Sequence, residues 1–95
     1  MKITDIRILL RDDEKLRAFV SVTFDDAFAV RGMKIIEGAK GLFVAMPSRK
    51  RPDGSHEDIA HPVNREFRQR IQTALLEKYR QETESDEAAV PVEGQ

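Results

Sequence analysis

Residues 41–64 read GLFVAMPSRKRPDGSHEDIAHPVN, and the order of residue types in this stretch decides the fold. Leu42 to Met46 is an unbroken apolar run behind a glycine, the composition of a strand covered on both faces. Pro47 has no N–H to give to a ladder and ends that strand. Pro52-Asp53-Gly54 has the composition of a tight turn, so the segment from Pro47 to Val63 reads as a loop. Asn64 then offers a side-chain oxygen to the free amides of a first helical turn, and good helix formers follow to about Arg80. Sheet comes first and helix afterwards. Arg49, Lys50 and Arg51 therefore stand at the exposed end of a buried strand, where unpaired positive charge calls for an anion.

Upstream, the apolar period is two. Ile6, Ile8 and Leu10 alternate with Asp5 and Arg7, and Leu16, Ala18, Val20, Val22 and Phe24 alternate with Arg17, Ser21 and Thr23. Asp12 to Lys15 and Asp25-Asp26 supply the turns. Phe28 and Val30 continue the alternation until Arg31-Gly32, where the parity shifts to Met33 and Ile35; a glycine at such a switch predicts a bulge. With a turn at Gly38 to Gly41, four strands joined by short turns predict an antiparallel meander. Downstream, Phe67, Ile71, Ala74 and Leu75 share one helical face with Tyr79 at its edge, and that face is expected to cover the sheet. Leu76 falls off this stripe and is a candidate partner contact. The fold class is α+β: a small antiparallel β-sheet meander followed by a C-terminal helix packed on it.

A chain of 95 residues makes one domain with one modest core. Hydrophobic residues at 40% beside charged residues at 35% leave that core thin, so burying more surface against a second copy would help it. There is no cysteine, which excludes disulfides and thiolate metal sites. No apolar run approaches the ~18 residues of a membrane span, and the N-terminus lacks a signal-peptide layout, so a cytoplasmic protein without membrane attachment is expected. The net charge of −1 hides an asymmetry: residues 1–70 hold 14 Lys+Arg against 11 Asp+Glu, and residues 71–95 hold 2 against 6. Residues 82–95 are acidic and lack apolar periodicity, the composition of a disordered tail.

The stretches GLFVAMPS (41–48), RPDG (51–54) and DIAHP (58–62) at this spacing resemble the SpoVG family of small bacterial regulators. The likeness runs from the opening MKITDIRI to the helix VNREFRQRIQTALLEKYR, giving a SpoVG-like domain over residues 1–81. What it implies is a homodimeric α+β domain without enzymatic activity that binds DNA and RNA and is associated with septation, sporulation and gene regulation.

The residues themselves point to the same partner. Arg49, Lys50 and Arg51 are flanked by Pro47 and Pro52, which limits the entropy lost when side chains are held against phosphates. Arginine is a planar, bidentate donor suited to phosphate or a guanine edge, and a helix start attracts anions through its free amides. Arg65 and Arg68 lie on that first turn, so the expected nucleic-acid site is Arg49, Lys50, Arg51, Arg65 and Arg68, converging on one ridge if loop and helix start adjoin. There is no tryptophan, and the single tyrosine lies late in the helix, which leaves Phe19 as the candidate for base stacking. Binding led by phosphate with modest sequence preference is expected.

Catalysis is not. His56 and His61 are five apart beside Pro62, where a zinc helix needs a spacing of four, and the paired Asp12-Asp13 and Asp25-Asp26 belong to turns. No nucleophile, base and oxyanion group assemble, so no cofactor, metal or small-molecule substrate is expected. The alternative is a non-catalytic protein interaction module that acts on the cell-division machinery through a sheet edge or a helix face.

Overall fold

The computed structural model describes the backbone of residues 1–93 and the side-chain surroundings of residues 1–84. Strands β1 (Ile3–Leu10), β2 (Leu16–Phe24), β3 (Phe28–Gly38) and β4 (Gly41–Ala45) form an antiparallel sheet in the order β1-β2-β3-β4, the predicted meander. Two short strands, β5 (Ser48–Lys50) and β6 (His56–Asp58), pair as a separate antiparallel ribbon. Helix α1 (Arg65–Glu93) follows, so the chain is an α+β fold.

The alternation on β2 is realised in the burial: Ala18, Val20, Val22 and Phe24 face inward and are buried, while Arg17, Phe19, Ser21 and Thr23 between them are only half-buried. Met33 and Ile35 of β3, Val44 of β4 and Met46 complete the sheet's side of the core. From the helix, Ile71 and Leu75 enter it, with Phe67, Ala74 and Tyr79 packed at its margin. Burying a side chain such as Leu75 contributes about 1.5–3 kcal/mol, so these contacts hold the helix on the sheet. The Phe67 ring lies tilted on that of Phe24 with centroids 5.8 Å apart.

The predicted bulge is present. Val22 pairs with Val30 and Val20 with Met33, which leaves Arg31-Gly32 as the extra residue step on β3, and Gly32 sits at φ 87°. At the β2–β3 turn Asp25 and Asp26 adopt φ 52° and 50°, a left-handed conformation that aspartate tolerates. Thr4 anchors this turn by accepting from the Asp26 amide at 2.9 Å. At the β1–β2 turn Asp13 accepts from the amides of Lys15 and Leu16, bonds that hold its carboxyl below the ordinary range.

Four expectations need correction. The loop after Pro47 is a ribbon, described below. β4 is an edge strand whose outer side is open, so Leu42 and Phe43 are exposed and the apolar run is not covered on both faces. Leu76 packs against the core instead of offering a partner contact, because a helix lying across a twisted sheet buries a wider stripe than one row of residues. The helix does not close near Arg80 but continues to Glu93, through Gln81, Glu82 and Glu84, residues with good helix propensity. The acidic tail proposed for 82–95 lies, from residue 85 onward, outside the residues whose side chains are described. Among the described residues no helix is long and apolar enough to cross a membrane.

Candidate nucleic-acid interface

The cations of SRKRPDG stand on the β5–β6 ribbon. Ser48 pairs with Asp58, Arg49 with Glu57 and Lys50 with His56. The turn is built by Asp53, whose Oδ1 accepts from the Ser55 hydroxyl at 2.6 Å and the Ser55 amide at 2.9 Å. These bonds, the hydroxyl's first, hold the Asp53 carboxyl below the ordinary carboxylate value. Gly54 supplies the left-handed residue at φ 91°, and the Arg51 amide donates to Ser55 O at 2.7 Å. At the base, the Ile59 amide donates to the carbonyl of buried Pro47 at 2.7 Å.

Because residues alternate across a ribbon, the three consecutive cations divide between two faces. Arg49 and Arg51 share one face with Glu57: Arg49 Nε donates to Oε1 at 2.7 Å and Arg51 donates to Oε2 at 2.8 Å. Lys50 is on the other face beside His56 and forms no ion pair among the described residues. Glu57, not among the residues expected at the site, is the shared partner of two of the expected arginines. One carboxylate orients two guanidinium groups that remain exposed, at 72% and 50% of their side-chain surface. Each guanidinium keeps further N–H donors beyond the one given to Glu57.

The helix start is built as the sequence predicts. Asn64 Oδ1 accepts from the Phe67 amide at 2.7 Å, and the Arg68 amide donates to Asn64 O at 3.2 Å to open the helical ladder. Arg65 and Arg68 are exposed and unpaired among the described residues. Among the described residues Arg49 and Arg51 are joined through Glu57, and neither Arg65 nor Arg68 has a hydrogen bond or ion pair to the ribbon. Arg70, on the helix flank, lies over the Phe67 ring at 5.6 Å and donates to the Met1 carbonyl. His61 Nδ1 is 3.1 Å from the Pro62 carbonyl, a local contact before the helix entry.

Between the Phe28 hairpin and the segment before the helix lies a cleft of about 350 Å³, floored by Met33, Met46 and Ile71. Its rim carries Phe28, 65% exposed, and Val63, 89% exposed. Among the described residues no cluster of His, Asp or Glu has the makings of a metal site.

The family model for SpoVG matches residues 1–81, the sheet, the ribbon and the helix through Gln81. The chain belongs to the SpoVG family. Among relatives named "Putative septation protein SpoVG", that of Acetivibrio thermocellus is 60% identical over 80 residues, 83% of this chain and 85% of the relative. Those of Agathobacter rectalis and Caldanaerobacter subterraneus are 56% and 52% identical, each over 90% of this chain and nearly all of their own length. The SpoVG match includes every element that carries a candidate site residue, and it stops where the helix turns acidic.

Proposed function

We propose that this chain is a bacterial nucleic-acid-binding regulatory protein, acting on DNA and also on RNA in the cytoplasm, in the service of septation and sporulation. It works as a homodimer and without catalysis. The observation that carries this reading is the pair Arg49 and Arg51 held on one ribbon face by the single carboxylate of Glu57. A two-stranded antiparallel ribbon has the width of a DNA major groove, and arginine forks match both phosphate oxygens and the guanine edge. Holding the side chains in place beforehand reduces the entropy lost on binding. Arg65 and Arg68, beside the free amides of the helix start, add backbone contacts. The ribbon as a whole also carries Asp53, Glu57 and Asp58, so attraction is local and strongly screened by salt.

The test is fluorescence-anisotropy titration of labelled duplex DNA and single-stranded RNA across a salt series, with wild type and the Arg49/Lys50/Arg51 triple alanine variant, folding checked by circular dichroism. A steep dependence of log K on log salt, flattened in the variant, supports the reading. Equal binding by both proteins refutes it.

One observation favours a second reading, a protein interaction module for the division machinery. Phe28 and Val63 expose large apolar surface at the rim of a preformed cleft, a combination that marks contact sites for other proteins. An interaction of that kind survives the triple alanine change and is lost in Phe28→Ser.

A further inference from the structure

The sheet has a second face, turned away from the helix. On it the register sets Arg7 beside Ser21, Leu9 beside Phe19, and Phe19 beside Lys34. The Arg31-Gly32 bulge opens a concavity of about 320 Å³ there, lined by Arg7, Leu9, Phe19, Ser21, Arg31 and Gly32. The Arg11 guanidinium stands over the Phe19 ring, 5.2 Å from its centroid. Two carboxylates on this side, Asp5 and Glu37, are already engaged by Arg7 and Arg17. Arg11, Arg31 and Lys34 have no such partner among the described residues. An aromatic ring on an inner strand is therefore ringed by surplus positive charge beside an open hollow.

We propose that this face is a second nucleic-acid surface, specific for single strands, with one base stacked on Phe19 and the flanking phosphates held by Arg7, Arg31 and Lys34. The charge is complementary to a polyanion, and a base stacks on an aromatic ring whatever its sequence. A duplex hides its base faces, so it gains nothing from Phe19; a single strand unstacks at little cost. Arg11 occupies the ring face in the free protein and yields it to the base, moving to a phosphate. The register shift on β3 lies at this hollow, which Arg7 and Arg31 both line. This surface is separate from the ribbon, and its existence does not depend on the ribbon's role.

The full chain is titrated with labelled 12-nucleotide oligo(dT) and oligo(U) and with a 20-base-pair duplex. The proteins compared are wild type, Phe19→Leu, which keeps apolar volume and removes the ring, and the exposed Arg31→Gln. Phe19→Leu is expected to lose about 10-fold in affinity for both single strands and to leave duplex affinity unchanged. Arg31→Gln is expected to flatten the single-strand salt slope by about 1. Ultraviolet crosslinking of oligo(U), read by mass spectrometry, is expected to mark the peptide that contains Phe19. If Phe19→Leu misfolds, Arg31→Gln and the crosslink carry the test. Single-strand binding that ignores Arg31→Gln and crosslinks elsewhere overturns the proposal, as does wild type that fails to bind oligo(dT) and oligo(U). So does a fall in molecular mass by light scattering in either variant, which would assign the face to a second copy of the chain. Duplex binding lost in the ribbon variant while single-strand binding persists would leave both surfaces standing.

Discussion

Glu57 faces Arg49 directly across the β5–β6 ribbon, with Nε 2.7 Å from Oε1, and gives its second oxygen to Arg51. The carboxylate has two opposed effects on an anionic ligand: it fixes the forks in place and cancels part of their charge. Exposed pairs of this kind contribute about 0–1 kcal/mol each, so the cancellation outweighs the ordering in long-range attraction. Glu57→Gln keeps an amide oxygen for one arginine and removes the charge. Its affinity for duplex DNA is expected to rise roughly 3-fold at low salt, with a salt slope steeper by about 1. A drop in affinity with an unchanged slope would mean that orientation, and not charge, is what Glu57 supplies.

Gly32 holds φ 87° at the bulge, where an added Cβ would meet Pro47 Cβ at 3.5 Å, an ordinary contact. The cost of Gly32→Ala is therefore backbone strain and not a clash. It is expected to lower stability by about 1–2 kcal/mol. Each kcal/mol lowers Tm by roughly 4–8 °C in a domain of this size. Thermal melting followed by circular dichroism gives the answer, and an unchanged Tm would show that the chain relaxes to an unbulged register.

Asn64 caps the helix through its 2.7 Å bond from the Phe67 amide. Asn64→Ala removes the acceptor and is expected to lose about 1 kcal/mol in urea denaturation. Asn64→Asp keeps the acceptor and sets a negative charge at the positive end of the helix, so it is expected to match or exceed wild type. Equal stability of all three proteins would falsify the capping role.

Asp53 is held below its ordinary pKa of 3.8 by the Ser55 hydroxyl and then the Ser55 amide. A carboxyl whose folded value lies below its unfolded one stabilises the fold above the unfolded value, and the effect disappears as pH falls through the folded value. The ribbon turn is thus expected to loosen below about pH 4, while pH 5 to 8 leaves it intact. The Ser55 amide resonance followed by NMR reports this. Asp53→Asn should remove the low-pH transition; its persistence in that variant would assign the change to another carboxyl.

The strands of the main sheet were legible because each has one face against the core, and burial imposes a period of two that Ile6, Ile8, Val20 and Val22 obey. The bulge announced itself by a parity shift at a glycine, and the helix by Asn64 and the spacing of Phe67, Ile71 and Leu75. The ribbon was not legible for the same physical reason. Ser48–Lys50 and His56–Asp58 are three residues each and lie outside the core, so no apolar pattern marks them. The signals it does carry are a Pro-Asp-Gly turn and opposite charges at positions that pair, Arg49 with Glu57. β4 misled in the other direction: Leu42 and Phe43 are apolar yet stand at an open edge. Of the candidate site, the residue types were readable and their division between two ribbon faces was not.

Pro47 and Ile59 close the base of the ribbon, one buried and the other donating a backbone hydrogen bond to its carbonyl. Beyond that closure every residue is exposed except half-buried Glu57. The tip from Arg51 to Glu57 can be rewritten, lengthened by a residue pair or stripped of charge while the ten buried hydrophobic side chains among the described residues keep their neighbours. The chain therefore separates its ribbon from what keeps it folded. A lineage that inherits this framework is free to change the charge and shape of the ribbon by editing a few exposed codons, with the thermal stability of the protein standing apart from the outcome.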